Sequence, residues 1–179
     1  MLRDEVIYRR ATPADAPELA GFGSQSFVDA YGSLNSRRQV ALHVERTYSE
    51  DLQRAELTDS GSWTIIGDRE GEIVGAALMR WYDPPAPLAA GAKWAEIKRF
   101  YVGRGYWRTG ISTDLMVAAL QSIRDGAGDS VWLQVWEDAT QAIGFYRKWG
   151  FVEVGEMPFM LGTEAQRDLV MARTLAGAP

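Results

Sequence analysis

One segment limits the possible folds more than any other. Ala95-Glu96-Ile97-Lys98-Arg99-Phe100-Tyr101-Val102 is a strand rich in branched and aromatic residues, and Gly103 to Thr109 is a Gly/Arg/aromatic turn. Ile111, Leu115, Met116, Ala119, Leu120 and Ile123 then follow the helical period. A strand that turns directly into a helix makes an anion site, because the first helical N–H groups lack partners and the helix dipole is positive there. The nucleotide loops do not fit it. A P-loop ends in Gly-Lys-Ser/Thr, whereas Thr109-Gly110-Ile111-Ser112 has no Lys, and Gly103-x-Gly105 is followed by Arg108 where a dinucleotide fingerprint needs its third Gly.

Around this unit the pattern alternates between periods. Val6–Arg10 is a short strand, and Thr12-Pro13-Ala14-Asp15 is a helix start with a Thr cap, Pro at the first helical position and an acid three residues after the cap. That helix runs toward Tyr31, and two more helical patterns cover about Arg37–Tyr48 and Ser49–Leu57. Trp63–Gly67 and Glu72–Trp81, joined by the polar turn Asp68-Arg69-Glu70-Gly71, form a β-hairpin. Asp83 to Ala92 is a Pro-rich loop, the longest irregular segment. Val131–Trp136 is a strand; Ala142, Phe145, Tyr146 and Trp149 lie on one helix face stopped by Gly150; two strands, about Phe151–Gly155 and Leu169–Arg173, end the series. This order predicts a single α+β domain over 1–179, with its core at about 6–173.

The chain has no Cys and one His, so it cannot hold a disulfide framework, a Cys-based metal site or a Cys nucleophile, and a Ser-His-Asp triad would have to use His43. Group-transfer chemistry has to rely on carboxylates, Tyr and backbone dipoles, or import its reactive sulfur or metal; no metal ligand set is predicted. The net charge of -5 offers no basic field for nucleic acid and accommodates a cationic partner. Met1 to Glu5 leads straight into a strand-like run, without the apolar stretch of a signal peptide or membrane span, so a cytoplasmic location with no membrane partner is expected.

Tyr106-Trp107-Arg108-Thr109-Gly110-Ile111-Ser112, between a strand and an amphipathic helix, resembles the pyrophosphate loop Q/R-x-x-G-x-G/A of the Gcn5-related N-acetyltransferases (GNAT). Trp107 stands where Gln or Arg is usual, and Ser112 where Gly or Ala is usual. Ala142-Ile143-Gly144-Phe145-Tyr146-Arg147-Lys148-Trp149-Gly150-Phe151 resembles the family's later helix, A-I-x-F-Y-x-K-x-G-F, with Ala139 at the place of a frequent Asn. Glu137-Asp138, Gly155 to Gly162 and Gln166-Arg167-Asp168-Leu169 look most like the PaiA-type spermidine/spermine branch, which commonly carries His at the place of Met157. The resemblance implies a GNAT fold, a mixed, mostly antiparallel sheet of about six to seven strands flanked by about four helices. It implies acetyl-CoA as cofactor, held by Phe100, Tyr101, Val102, Trp107, Arg108, Thr109, Gly110, Ile111, Ser112, Thr113, Ala139 and Tyr146, and a homodimer is common in the family.

The family mechanism is direct attack by an amine on the thioester. An amine with a pKa near 10.4 is neutral in roughly one molecule in two thousand at pH 7, so freeing it costs on the order of 4–5 kcal/mol and a base is useful. Glu96 is the candidate base, with a solvent-facing carboxylate paired to Lys98 or Arg99 as the alternative. Backbone N–H groups near Val102 would polarise the thioester carbonyl. The resemblance assigns the Tyr146 hydroxyl to the departing thiolate, a core Tyr being the alternative. His43 is expected at a surface or half-buried helix position. Asp29, Glu45, Glu50 and Asp51 lie in the region resembling the acceptor-binding helices and either attract a polycation or are solvated faces. The acceptor expected first is a small cationic amine, a polyamine (spermidine or spermine). An amino-acid-like, aminoglycoside or protein amine, or a non-catalytic CoA-binding regulator, remain open.

Overall fold

In the computed structural model the described residues are 5–85, 88 and 92–175. They form seven strands and five α-helices: β1 Ile7–Arg10, α1 Ala16–Tyr31, α2 Arg37–Thr47, α3 Glu50–Thr58, β2 Ser62–Arg69, β3 Glu72–Trp81, β4 Trp94–Val102, α4 Ile111–Asp125, β5 Ser130–Trp136, α5 Thr140–Lys148, β6 Val152–Leu161 and β7 Glu164–Thr174. The expected α+β architecture is present, with five helices rather than about four. Of the predicted loop, residues 86, 87 and 89–91 lie outside the described residues, as do the ends of the predicted domain at 1–4 and 176–179. No helix among the described residues is long and apolar enough to cross a membrane.

The sheet order is β1-β2-β3-β4-β5-β7-β6, antiparallel throughout except for the parallel β4/β5 pair. On one face, α4 and α5 bury Leu115, Met116, Ala119, Leu120, Ile123 and Ile143 against Ala77, Met79, Ala95, Ile97, Val131 and Leu133. On the other, α1 covers Ile66, Ile73 and Ala76 with Leu19, while Phe27, Val40 and Tyr48 pack on Leu161. Burial of each large apolar side chain contributes roughly 1.5–3 kcal/mol, so α4, apolar on its inward face, is a principal clamp on the sheet.

Three boundaries differ from the sequence expectation. The polar turn shrinks to Glu70-Gly71, both left-handed (φ 53° and 88°), because Arg69 still pairs with Glu72. The Thr12 cap opens a single 3-10 turn, Pro13–Asp15, before α1 begins. The last two strands are roughly twice as long as predicted. Gly155 and Pro158 look like breakers, but β6 is an edge strand, where Pro is tolerated and a bulge at Val154 brings Gly155 into register with Val170.

Candidate active site

The site begins with a bulge. Leu78 pairs with Arg99 and Met79 with Ile97, so Lys98 is an extra residue in β4. The alternation slips by one there: Ile97 and Phe100 both belong to the α4/α5 face, while Glu96, Arg99 and Tyr101 line a cavity on the other. The bulge also follows the last rung between β4 and β5. Only Trp94, Ala95 and Glu96 pair with Ser130, Val131 and Trp132, although β4 continues to Val102 and β5 to Trp136. Beyond Glu96 the two central strands splay apart. The N–H of Gly103 donates to Val74 on β3, so strand alternation turns the N–H groups of Phe100 and Val102 toward the gap.

At the end of β4 the chain enters the turn before α4. Arg108 (φ 65°) and Gly110 (φ 95°) are left-handed, and Gly110 caps the helix. The backbone N–H groups of Arg108, Gly110, Ile111 and Ser112 donate to no other described residue, whereas Thr113 bonds back to Gly110. Trp107, 48% exposed, ties the loop to the strand by donating its indole N–H to the Val102 carbonyl at 2.9 Å. Thr109 Oγ donates to the Tyr106 carbonyl at 2.6 Å.

From the α5 side, Tyr146 stands edge-on to Phe100, Phe145 and Phe151. No described residue hydrogen-bonds its hydroxyl. Burial holds that phenol protonated, with its pKa pushed up and the Tyr31 hydroxyl adding to the effect. Ala139, at the α5 cap, makes no side-chain cap bond and packs on the core.

The cavity on the opposite face has a volume of about 430 Å³. Its aromatic wall includes Phe27, Tyr31, His43, Tyr48, Tyr101 and Trp136, with the Tyr48 and Tyr101 hydroxyls 3.1 Å apart and the Tyr31 ring edge-on to Trp136 at 6.3 Å. Its charged groups form a network. Glu56 of α3 binds Arg99 at 2.6 Å and Lys98 at 3.0 Å, and although burial opposes it, these cations hold its pKa down. Glu96, 3% exposed, pairs with Arg80 across β3/β4. Arg46 donates to the Gly162 carbonyl at 3.1 Å. Asp168 of β7 is 5% exposed, and burial, with Glu137 adding, pushes its pKa up to about 6. Its Oδ1 is buried with no hydrogen-bond partner among the described residues.

These placements revise the sequence expectations. The solvent-facing alternative for Glu96 is overturned: the carboxylate is buried and its partner is Arg80. Glu96 and Tyr101 face the cavity, Phe100, Val102 and Tyr146 pack on the other face, and Trp107 to Thr113 sit at the far end of β4, so the splayed strands separate the predicted catalytic pair. His43 is half-buried, as expected, but stacks on Phe27 at 4.3 Å in the cavity wall. Burial and Arg99 lower its pKa to about 4, which keeps it neutral at pH 7. Asp29, Glu45, Glu50 and Asp51 do not line the cavity; Asp29 accepts from Gln25 and Glu50 binds Arg54. The carboxylates missed are Glu56 and Asp168. For Asp168 a signal existed: in Asp168-x-Val170-x-Ala172 it shares the inward register of two buried apolar residues.

Residues 28–151 match the acetyltransferase (GNAT) family model. A Lactobacillus delbrueckii subsp. lactis protein described as an uncharacterized N-acetyltransferase is 27% identical over 161 residues, 90% of this chain and 92% of that protein. Among solved structures, the PaiA N-acetyltransferase of Thermoplasma acidophilum in complex with coenzyme A superposes with a TM-score of 0.78 at 17% identity, covering 94% of this chain and 98% of that one. A Gcn5-related N-acetyltransferase from Rhodopseudomonas palustris gives 0.75 at 20% identity over 98% and 99%. The chain therefore belongs to the acetyltransferase (GNAT) family. Membership makes it an N-acetyltransferase, and acetyl-CoA is that family's donor.

Proposed function

We propose that the protein transfers the acetyl group of acetyl-CoA to the primary amine of a small acceptor held in the cavity on the α1–α3 face. The observation that carries this reading is the gap between β4 and β5, which joins an anion-binding helix N-terminus to a carboxylate-bearing cavity. The residues fit the cofactor. The amides of Arg108, Gly110, Ile111 and Ser112 suit a pyrophosphate. The unpaired edges of β4 and β5 suit an extended amide-bearing arm. The donor supplies a thioester, whose C–S bond gives way to a C–N bond as the amine loses a proton and the sulfur gains one.

Each residue then has a task. The Phe100 and Val102 N–H groups, turned into the gap, hydrogen-bond to a developing oxyanion. Tyr146, held neutral by burial, donates its hydroxyl proton or a hydrogen bond toward the gap, the same burial that keeps it protonated sharpening that interaction. Glu96, at the last rung, accepts the amine proton directly or through water, with Arg80 fixing its orientation.

The cavity's charges bear on the acceptor. Arg46, Arg80, Lys98 and Arg99 face Glu56, Glu96 and Asp168, and only Asp168 among the three acids has no ion pair. One unpaired carboxylate, with Arg46 paired to no described acid, suits an amino-acid-like amine that offers one ammonium and one anionic group. A polyamine (spermidine or spermine) is the second reading, favoured by the net charge of -5.

The test has two stages. Acetyl-CoA is expected to raise the melting temperature, and Gly110→Pro, which cannot adopt φ 95°, to abolish that shift; no shift for the intact chain sinks the cofactor assignment. Free-thiol release is then measured across spermidine, spermine, amino acids and their amides, and aminoglycosides. Turnover with polyamines alone overturns the amino-acid-like acceptor, and binding of acetyl-CoA with no turnover on any amine points to a regulator.

A further inference from the structure

We infer that Asp168 is the docking carboxylate for the acceptor's ammonium group, a specificity-determining residue that leaves Glu96 free for proton transfer. The inference rests on the amine-acetyltransfer reading above.

Asp168 lies midway along β7, between Trp136 on β5 and Met157 on β6. Neither neighbour gives its carboxylate an ion pair: Met157 has only a thioether, and the Trp136 indole donates one N–H at most. A buried carboxylate without a donor is rare, because it forfeits hydration worth several kcal/mol and gains nothing in exchange. This one lines a cavity wide enough for a small amine, whose wall also holds an aromatic pair, Tyr31 and Trp136, and aromatic ring faces favour a cation. The other acids of the cavity are engaged, Glu56 by Lys98 and Arg99 and Glu96 by Arg80. Glu137, whose charge also acts on Asp168, is held outside by Arg167 at 2.9 Å. An N–H donor brought in by the acceptor gives the carboxylate the partner it lacks. The ammonium N–H donates, the carboxylate accepts, and no covalent bond changes.

The charge state of the cavity gives the inference a second handle. His43 is neutral at pH 5 and above, and desolvation raises the pKa values of the Tyr31, Tyr48 and Tyr101 phenols. Arg46, Arg80, Lys98 and Arg99 are the cavity's basic groups, Glu56 is held ionised by Arg99 and Lys98, and Glu96 is paired with Arg80. Asp168 is therefore the cavity group that gains its charge between pH 5 and pH 7.5.

The test uses the full chain saturated with coenzyme A and titrated with n-butylamine hydrochloride by calorimetry, so that no turnover is needed. At pH 7.5 the wild type is expected to bind n-butylammonium, and Asp168→Asn to weaken that binding about tenfold or more while binding coenzyme A as before. Lowering the pH to 5 weakens binding by the wild type by about tenfold, an arm that needs no variant, and has little effect on Asp168→Asn. A structural role for Asp168 would instead lower the melting temperature of Asp168→Asn; here the variant melts no lower than the wild type at pH 7.5. Equal binding of n-butylammonium by Asp168→Asn and wild type, or none by the wild type, overturns the inference. Failure of the wild type to bind coenzyme A overturns the acetyltransfer reading instead, and n-butylammonium titration of the coenzyme-free chain still decides Asp168.

Discussion

Asp168 is costly to the fold for the same reason that it is useful to the site. Its pKa in the native protein, about 6, lies above the usual 3.8, so between these values the folded state holds a proton that the unfolded state has released. Stability therefore falls as pH rises through that window, and above pH 6 the full penalty, about 3 kcal/mol, applies. Asp168→Asn is expected to raise the melting temperature by several degrees at pH 7.5, and the gain to vanish by pH 4 in parallel scans. Glu96 behaves oppositely. Glu96→Gln leaves Arg80 without its anion and lowers both stability, by about 1–3 kcal/mol, and kcat. Adding Arg80→Met restores the melting temperature but not kcat, which separates the ion pair from proton transfer. Tyr146→Phe, whose ring packing is unchanged, lowers kcat at least tenfold while the acetyl-CoA melting shift persists. The residues proposed to meet the cofactor were legible because a local motif carries them: Gly110 and Tyr146 sit within contiguous patterns. Glu56 was not, since it meets the cavity only through long-range packing, and Asp168 showed only as a register shared with Val170 and Ala172.

Among the elements, the strand β4 shows how local reading succeeds and where it stops. A strand from Ala95 to Val102 is evident from its branched and aromatic content, and α4 and α5 from their periods. The bulge is not evident from such content. It shows only as the doublet Lys98-Arg99 between Ile97 and Phe100, which breaks strict alternation, and strand pairing is what turns that doublet into a change of face. Deleting Lys98 makes Ile97 and Arg99 successive rungs opposite Met79 and Leu78, so Arg99 and Tyr101 stay on the cavity side and Phe100 on the α4/α5 side, and only the bulge and the Lys98–Glu56 ion pair are lost. The Arg99–Glu56 pair is kept, so the deletion variant is expected to melt within a few degrees of the wild type, and its turnover reads what the bulge itself contributes to the site. Circular dichroism and thiol release measure both. The over-short β6 has its own cause, because a Pro and a Gly stop a central strand but not an edge, whereas the missed start of β7, Glu164 to Arg167, is mostly polar and is held by its pairing with β6.

For the whole molecule, order of elements along the chain determines much of the topology, since hairpins and a strand-helix-strand crossover have few ways to associate. The cavity depends on distant parts. Tyr31, Glu56, Arg80, Glu96 and Asp168 come from five different elements, and no spacing in the sequence links them. Net charge was similarly uninformative: -5 over the chain coexists with four cations against three anions around the cavity. The splay has a mechanical consequence. With three rungs joining them, β1-β2-β3-β4 and β5-β7-β6 are two plates on a short hinge, braced by α4 and α5 across one face. Amides along the free inner margins lack the protection of a closed sheet, so in hydrogen–deuterium exchange those of Phe100 and Val102 are expected to exchange faster than those of β2 and β3. A ligand seated between the plates supplies the missing rungs, slows that exchange and makes the two halves unfold as one cooperative unit.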